Sequence, residues 1–197
     1  MQEDNNVRQL DERVAFRLYA AEQHLNMLKD IERLHGGIAK NQARLKVEME
    51  IDCFLSEIVG AVDSLLFQIN SAFDLGISDN RVTFHDVQSA LSAKTKHIAL
   101  LDELDKARQP GKWYSALSEL RNQSMYHTFL KKTIIVHDFP GKPAQIKFLK
   151  LQRDTEGNPV EQEMQQEVIP YLEKSLEQVS AMINSIRKNS PLLQPSK

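Results

Sequence analysis

The sequence predicts an all-α protein, an antiparallel helical bundle with a small β-hairpin inserted late in the chain. Three observations predict it. Long stretches repeat apolar residues at alternating steps of three and four, the period that places them on one face of a helix. With only 7 glycines and 7 prolines in 197 residues, few breaks interrupt those stretches. Around 132–152 the pattern changes to β-branched and aromatic residues on either side of a Pro-Gly turn. These outline a single helical domain over 1–190, followed by a flexible tail at 191–197.

Each element has its own signal. Val14, Leu18, Ala21, Leu25 and Leu28 mark an amphipathic first helix, which His35-Gly36-Gly37 stops because glycine readily supplies a left-handed C-cap. From Ile51 and Phe54 to Leu66 and Ile69 the apolar stripe widens, as expected of a central helix touching several neighbours. Asp74–Val82 is turn-rich, and Thr83 with Asp86 forms a capping start to a shorter helix. A further helix covers 97–109 and ends at Pro110-Gly111, after which the next runs from about Lys112 to Leu130. Residues 132–139 and 144–152 form the hairpin, and 153–159 a loop. Pro159 starts the last helix, whose apolar face runs through Met164, Val168, Leu172, Val179 and Ile183.

Composition narrows the function. With 25 basic and 27 acidic residues the formal charge is -2, so no overall positive field draws in nucleic acid or an anionic membrane, and any nucleic-acid contact is local. Lys131, Lys132, Lys142, Lys147 and Lys150 offer such a local phosphate-contacting surface, or simply a solvated hairpin face. Cys53 is the only cysteine, which excludes an internal disulfide and multi-cysteine zinc sites and fits a reducing compartment; it reads as a buried small hydrophobe. The polar N-terminus lacks the apolar core of a secretory signal, and no apolar run approaches the ~20 residues that span a bilayer, so a cytoplasmic protein without membrane contact is expected. The six histidines fall in no metal-ligand spacing such as HExxH, and no phosphate-binding glycine loop or nucleophile elbow occurs. No metal and no cofactor are expected.

Two sets of polar residues interrupt the helices. Glu57 and Asp63, six positions apart, are separated by about 9 Å along an ideal helix and do not form one carboxylate site unaided. Asp63, Ser64, Gln68 and Asn70 sit in an otherwise apolar helix and need partners where buried, either at a site or on another helix. In ELRNQSMYHTFL, residues 119–130, Arg121 and His127 stand on a helix whose seam runs through Trp113, Leu117, Leu120, Ser124 and His127. One reading makes His127 a packed histidine and Arg121 the ion-pair partner of a carboxylate on a neighbouring helix. The other is chemical. A histidine can exchange protons with a ribose 2′-hydroxyl, and an arginine can bind phosphate through its planar fork and stabilise developing charge.

Arg121-Asn122 followed by His127 resembles the R-x(4 to 6)-H signature of the HEPN superfamily, whose arginine is typically followed by a polar residue such as asparagine. The setting, a late helix preceded by a long polar-spotted one, is similar over about residues 45–130. The resemblance implies a metal-independent ribonuclease, often a toxin or defence effector, that dimerises so that two such motifs meet across a two-fold axis. It implies His127 as general acid/base, Arg121 as the phosphate-stabilising group and Asn122 as an orienting residue. RNA is the implied substrate and a homodimer the implied assembly; an antitoxin or other protein partner is not identified. Phe129 stands where one toxin branch carries a tyrosine that accepts a nucleotide, so neutralisation by transfer onto that hydroxyl is not available here. A non-catalytic helical dimerisation or partner-binding protein of the same fold is the rival reading.

Overall fold

In the computed structural model the residues described are 2–34, 41–94, 98–108, 113–126, 130, 132–135, 145–153 and 159–194. Most of them are helical: α1 (Gln2–Leu34), α2 (Asn41–Ala72), α3 (Phe84–Ala93), α4 (Ile98–Arg108), α5 (Trp113–Tyr126) and α6 (Val168–Asn189). Between α5 and α6 lie three strands, β1 (Lys132–Ile135), β2 (Gln145–Arg153) and β3 (Pro159–Glu167).

α1 and α2 run in opposite directions against each other. Their polar contacts pair early α1 residues with late α2 residues: Asn6 donates to Ser71 at 3.3 Å, Gln68 to Asp11 at 3.4 Å and Arg17 to Glu57 at 3.0 Å, and His24 Nδ1 meets Glu50 at 2.7 Å. Between these contacts the two apolar stripes interlock, with Val14, Ala21, Leu25 and Leu28 of α1 buried. α2 also packs against α3, α5 and α6. Its stripe from Ile51 and Phe54 to Ile69 is almost wholly shielded from water. Each such side chain contributes roughly 1.5–3 kcal/mol of transfer free energy, which makes α2 the central core element.

The junction after α2 is built from short-range chemistry. Asp74 (φ 46°) and Gly76 (φ 70°) turn the chain through left-handed backbone. The Asn70 side chain clasps Ile77, donating to its carbonyl at 2.8 Å and accepting from its N–H at 3.1 Å. Lys94 Nζ donates to the carbonyls of Phe73 and Asp74, each at 2.7 Å, and so satisfies acceptors just past the helix end. Thr83 caps α3 by accepting from the Asp86 N–H at 3.2 Å.

Three segments differ from the sequence expectation. Pro159–Glu167 is a strand rather than the start of the last helix, and α6 begins at Val168, so Met164 belongs to β3. This segment is rich in Glu and Gln, which favour helix, but β2 would otherwise present an unpaired edge, and ladder pairing outweighs that weak propensity. The sheet has the order β1-β2-β3 with antiparallel neighbours, aligning Ile134 with Ile146 and Leu151 with Glu161. The tail does not fray at residue 191: Pro191–Leu193 forms a 3-10 turn, and Leu193 is fully buried. α5 is helical to Tyr126, whereas Leu130 is non-helical and buried; residues 127–129 lie outside those described. Among the described residues no helix is long and apolar enough to cross a membrane.

Gly60 marks the close approach of α1. A Cβ placed there would lie 2.5 Å from Arg17 Nη1, so the guanidinium occupies the space that any larger residue needs. Gly60→Ala is expected to gain less than the ~1 kcal/mol that helix propensity offers, because the end of the Arg17 side chain must shift from its place beside Glu57. In the Arg17→Ala background the same substitution should recover that gain. Urea unfolding of the two single variants and the double variant should therefore show a coupling of up to about 1 kcal/mol, and simple additivity would contradict the notch.

Candidate functional site

Arg121 leaves α5 toward α2, with Nη2 lying 3.7 Å from Asp63 Oδ2. That is an ionic contact but too long for a hydrogen bond, so the arginine does not engage Asp63 through its bidentate fork. The arginine side chain is 22% exposed and the carboxylate 49%, which places the pair at the surface of the helix packing. Arg17 approaches the same carboxylate from α1. Burial raises the Asp63 carboxyl above its ordinary range, opposed first by the charge of Arg121 and then by that of Arg17. Glu57 and Asp63, too far apart to form one site directly, are thus linked through Arg17, which holds Glu57 at 3.0 Å.

The other polar spots on α2 have partners elsewhere. Ser64 donates to the Gly60 carbonyl, Gln68 reaches Asp11 and Asn70 clasps the loop after its own helix. Only Asp63 of this set faces α5 chemistry.

Asn122 is exposed beside Arg121. His127 and Phe129 lie outside the described residues, so of the predicted trio the structure describes Arg121, turned toward Asp63, and its chain neighbour Asn122, which lines a cleft, and no contact of the third. The chain on either side is anchored. Ser124 donates to Asp52, while Lys132 pairs with Glu48 and donates to the Leu130 carbonyl at 3.0 Å. Glu48 and Asp52 are one turn apart on α2, so both flanks of 127–129 are fastened to the same stripe. This corrects the expectation for Lys132. Its side chain is only 3% exposed, and burial lowers its pKa against the opposing pull of Glu48. It is therefore not part of a phosphate-contacting surface; the structures of Lys131 and Lys142 lie outside the described residues.

Cys53 likewise departs from expectation, being half-buried rather than a core hydrophobe. Partial burial, then Glu50, Asp52 and Glu57, push its thiol pKa up, which keeps it protonated and unreactive.

Next to Asp63 and Asn122 opens a cleft of about 960 Å³. Its α5 wall carries Ser115, Ser118, Glu119, Asn122 and Gln123, positions that recur every three or four residues and so form one helical stripe. Phe84 and Tyr114 make the floor, their ring centroids 5.2 Å apart, with both residues less than a tenth exposed. Arg108 and His85 also line the cleft, and the Arg108 guanidinium lies 6.0 Å from the Phe84 ring centroid and donates to Gln88 at 3.2 Å. The sequence reading missed this cleft. Its legible trace is the stripe of small polar residues on α5, a pattern that a solvated helix face produces equally well.

Tyr114 gives the cleft a pH signature. Burial, followed by the negative charge of Asp63, raises its phenol above the ordinary value of 10.0, with Arg121 opposing. A folded-state pKa above the unfolded one means that the folded protein holds the proton longer. The contribution is fully present below about pH 10 and is lost as pH rises further. Above that pH wild type is expected to lose about 1.4 kcal/mol per pH unit through this group, and Tyr114→Phe should not. Denaturant titrations at several alkaline pH values check this, and parallel slopes for the two proteins would contradict it.

Among the described residues no cluster of three or more His, Cys, Asp or Glu is arranged to hold a metal ion. Comparison of the chain with known protein families, with characterised proteins and with solved structures finds no match.

Proposed function

We propose that this chain is a HEPN-like, metal-independent endoribonuclease, acting on RNA in the cytoplasm as a toxin or defence effector. Its reacting site is completed when a second copy brings its own Arg121, Asn122 and His127 across a two-fold axis. In the reaction the 2′-oxygen attacks the adjacent phosphorus, the P–O2′ bond forms and the P–O5′ bond breaks. His127 removes the 2′-hydroxyl proton and a histidine protonates the leaving O5′, so the products carry a 2′,3′-cyclic phosphate and a 5′-hydroxyl. Arg121 stabilises the charge on the non-bridging oxygens, and Asn122 orients the phosphate.

The observation that carries this reading is Arg121 itself. Its guanidinium sits 3.7 Å from Asp63 without a hydrogen bond to it, at the edge of a cleft that Asn122 lines. An arginine held in position by charge alone can still present its fork to an incoming phosphate.

Incubating the purified protein with single-stranded RNA in excess chelator tests the proposal. Cleavage to cyclic-phosphate ends is expected, and folded protein that leaves RNA intact at high enzyme concentration would end it. Two features favour a second reading, a non-catalytic helical dimerisation or partner-binding protein. Asp63 already neutralises Arg121, and Leu45, Met49 and Met125 are each more than half exposed. That reading predicts intact RNA under the same conditions.

A further inference from the structure

The geometry points to the cleft beside Asp63 as a nucleotide-binding subsite that takes the base of a single-stranded RNA residue flanking the scissile phosphate. This rests on the ribonuclease reading for its role in catalysis, but the binding claim can be tested without it.

Three features converge. The cleft is large enough, at about 960 Å³, for a nucleotide and part of its neighbour. Its lining is divided as a base requires. The apolar floor is Phe84 and Tyr114, and Arg108 at the edge offers a guanidinium plane of the kind that stacks on bases. The α5 wall supplies paired donors and acceptors, because the Gln123 amide can present both to a base edge, with Ser115 and Ser118 hydroxyls beside it, and Asn122 remains for the phosphate.

Charge then sets the polarity of the ligand. Arg108 and His85 line the cleft, and Arg121 stands beside it, 3.7 Å from the lining residue Asp63. A strand whose base occupies the cleft can place its phosphates toward these cations. The carboxylates Asp63 and Glu119, both well exposed on the cleft lining, disfavour phosphate there but accept hydrogen bonds from the amino groups of bases. A cleft that combines aromatic and aliphatic surface with amide, hydroxyl and cationic side chains suits a nucleotide, which has a flat base and a charged backbone, better than a wholly apolar ligand.

The test uses full-length protein and short fluorescent single-stranded RNAs of each base, 2′-O-methylated so that they cannot be cleaved, with binding followed by anisotropy. Wild type is expected to bind with a base preference. Ser118→Trp, which fills the cleft, should weaken the preferred sequence about 10-fold or more, the loss of one stacked and hydrogen-bonded base, and flatten the preference. Arg108 is exposed, so Arg108→Ala threatens the fold little; it should weaken all sequences and lower the salt dependence by about one counterion. Wild-type affinity in both variants, or no binding by wild type, would overturn the subsite. Cleavage of the corresponding 2′-hydroxyl RNAs is scored separately. Binding that the cleft variants abolish in a protein that never cleaves would remove the nuclease reading and keep the subsite. Cleavage with unaltered binding in both variants would do the reverse.

Discussion

Arg121→Ala and His127→Ala are each expected to lower RNA cleavage about 10²- to 10⁴-fold, the range associated with removing a transition-state charge stabiliser or a general acid/base. Arg121→Lys should restore only part of the loss, since an ammonium keeps the charge but not the planar fork. Stability should barely move with Arg121→Ala. The pair with Asp63 is long and partly exposed, and such pairs contribute about 0–1 kcal/mol. Affinity for non-cleavable RNA should fall only by the loss of one phosphate contact, far less than the cleavage rate, which separates loss of chemistry from loss of substrate. Because the proposed site uses two copies, mixing the two inactive variants should return part of the activity, as some heterodimers contain one unmodified Arg121 and one unmodified His127. Cleavage rates, unfolding curves and the mixing experiment together decide the matter; cleavage at the wild-type rate by both variants would place the chemistry elsewhere.

The largest expected effect on stability belongs to Lys132. Lys132→Ala is expected to destabilise the fold by about 3–5 kcal/mol, because it leaves Glu48 buried without its counter-charge and removes a donor to the Leu130 carbonyl. The double replacement Lys132→Met with Glu48→Leu should recover most of that loss, since two apolar groups of similar size need no mutual compensation. A pH dependence distinguishes the charged pair from simple packing. Burial lowers the folded-state pKa of Lys132 below 10.5, so the unfolded chain holds the proton longer. Through this group, stability therefore rises with pH as the folded ammonium titrates, up to about 10.5, and the double variant should lack that contribution. Chemical denaturation of the three proteins checks both statements. An Ala variant as stable as wild type would mean that Lys132 does not anchor β1 to α2.

Local chemistry was the most readable part of the fold. The stripe from Ile51 to Ile69 is a helical repeat dense enough to imply burial on several sides, and α2 is indeed packed against four other helices. The Thr83 cap depends only on two side chains three residues apart, so it is visible without a tertiary structure. β3 was not readable, because its Glu- and Gln-rich sequence becomes a strand through pairing with β2. Lys132 was misread for a related reason: a lysine beside a strand signals exposure unless a buried carboxylate, distant in sequence, is known to face it.

The candidate site divides in the same way. Residue chemistry alone left Arg121 either an ion-pair partner of a carboxylate on a neighbouring helix or a phosphate ligand, and Asn122 entered only through the resemblance to the HEPN signature. That Asp63 faces Arg121, that Arg17 sits in the notch at Gly60, and that a polar stripe on α5 borders a cleft rather than open solvent depend on how four helices are placed. Periodicity specifies which face of a helix avoids water, because that preference is a property of the helix alone. It does not specify which charge meets which, because ion pairs and clefts arise between residues tens of positions apart, and their partners exist only once the helices have packed.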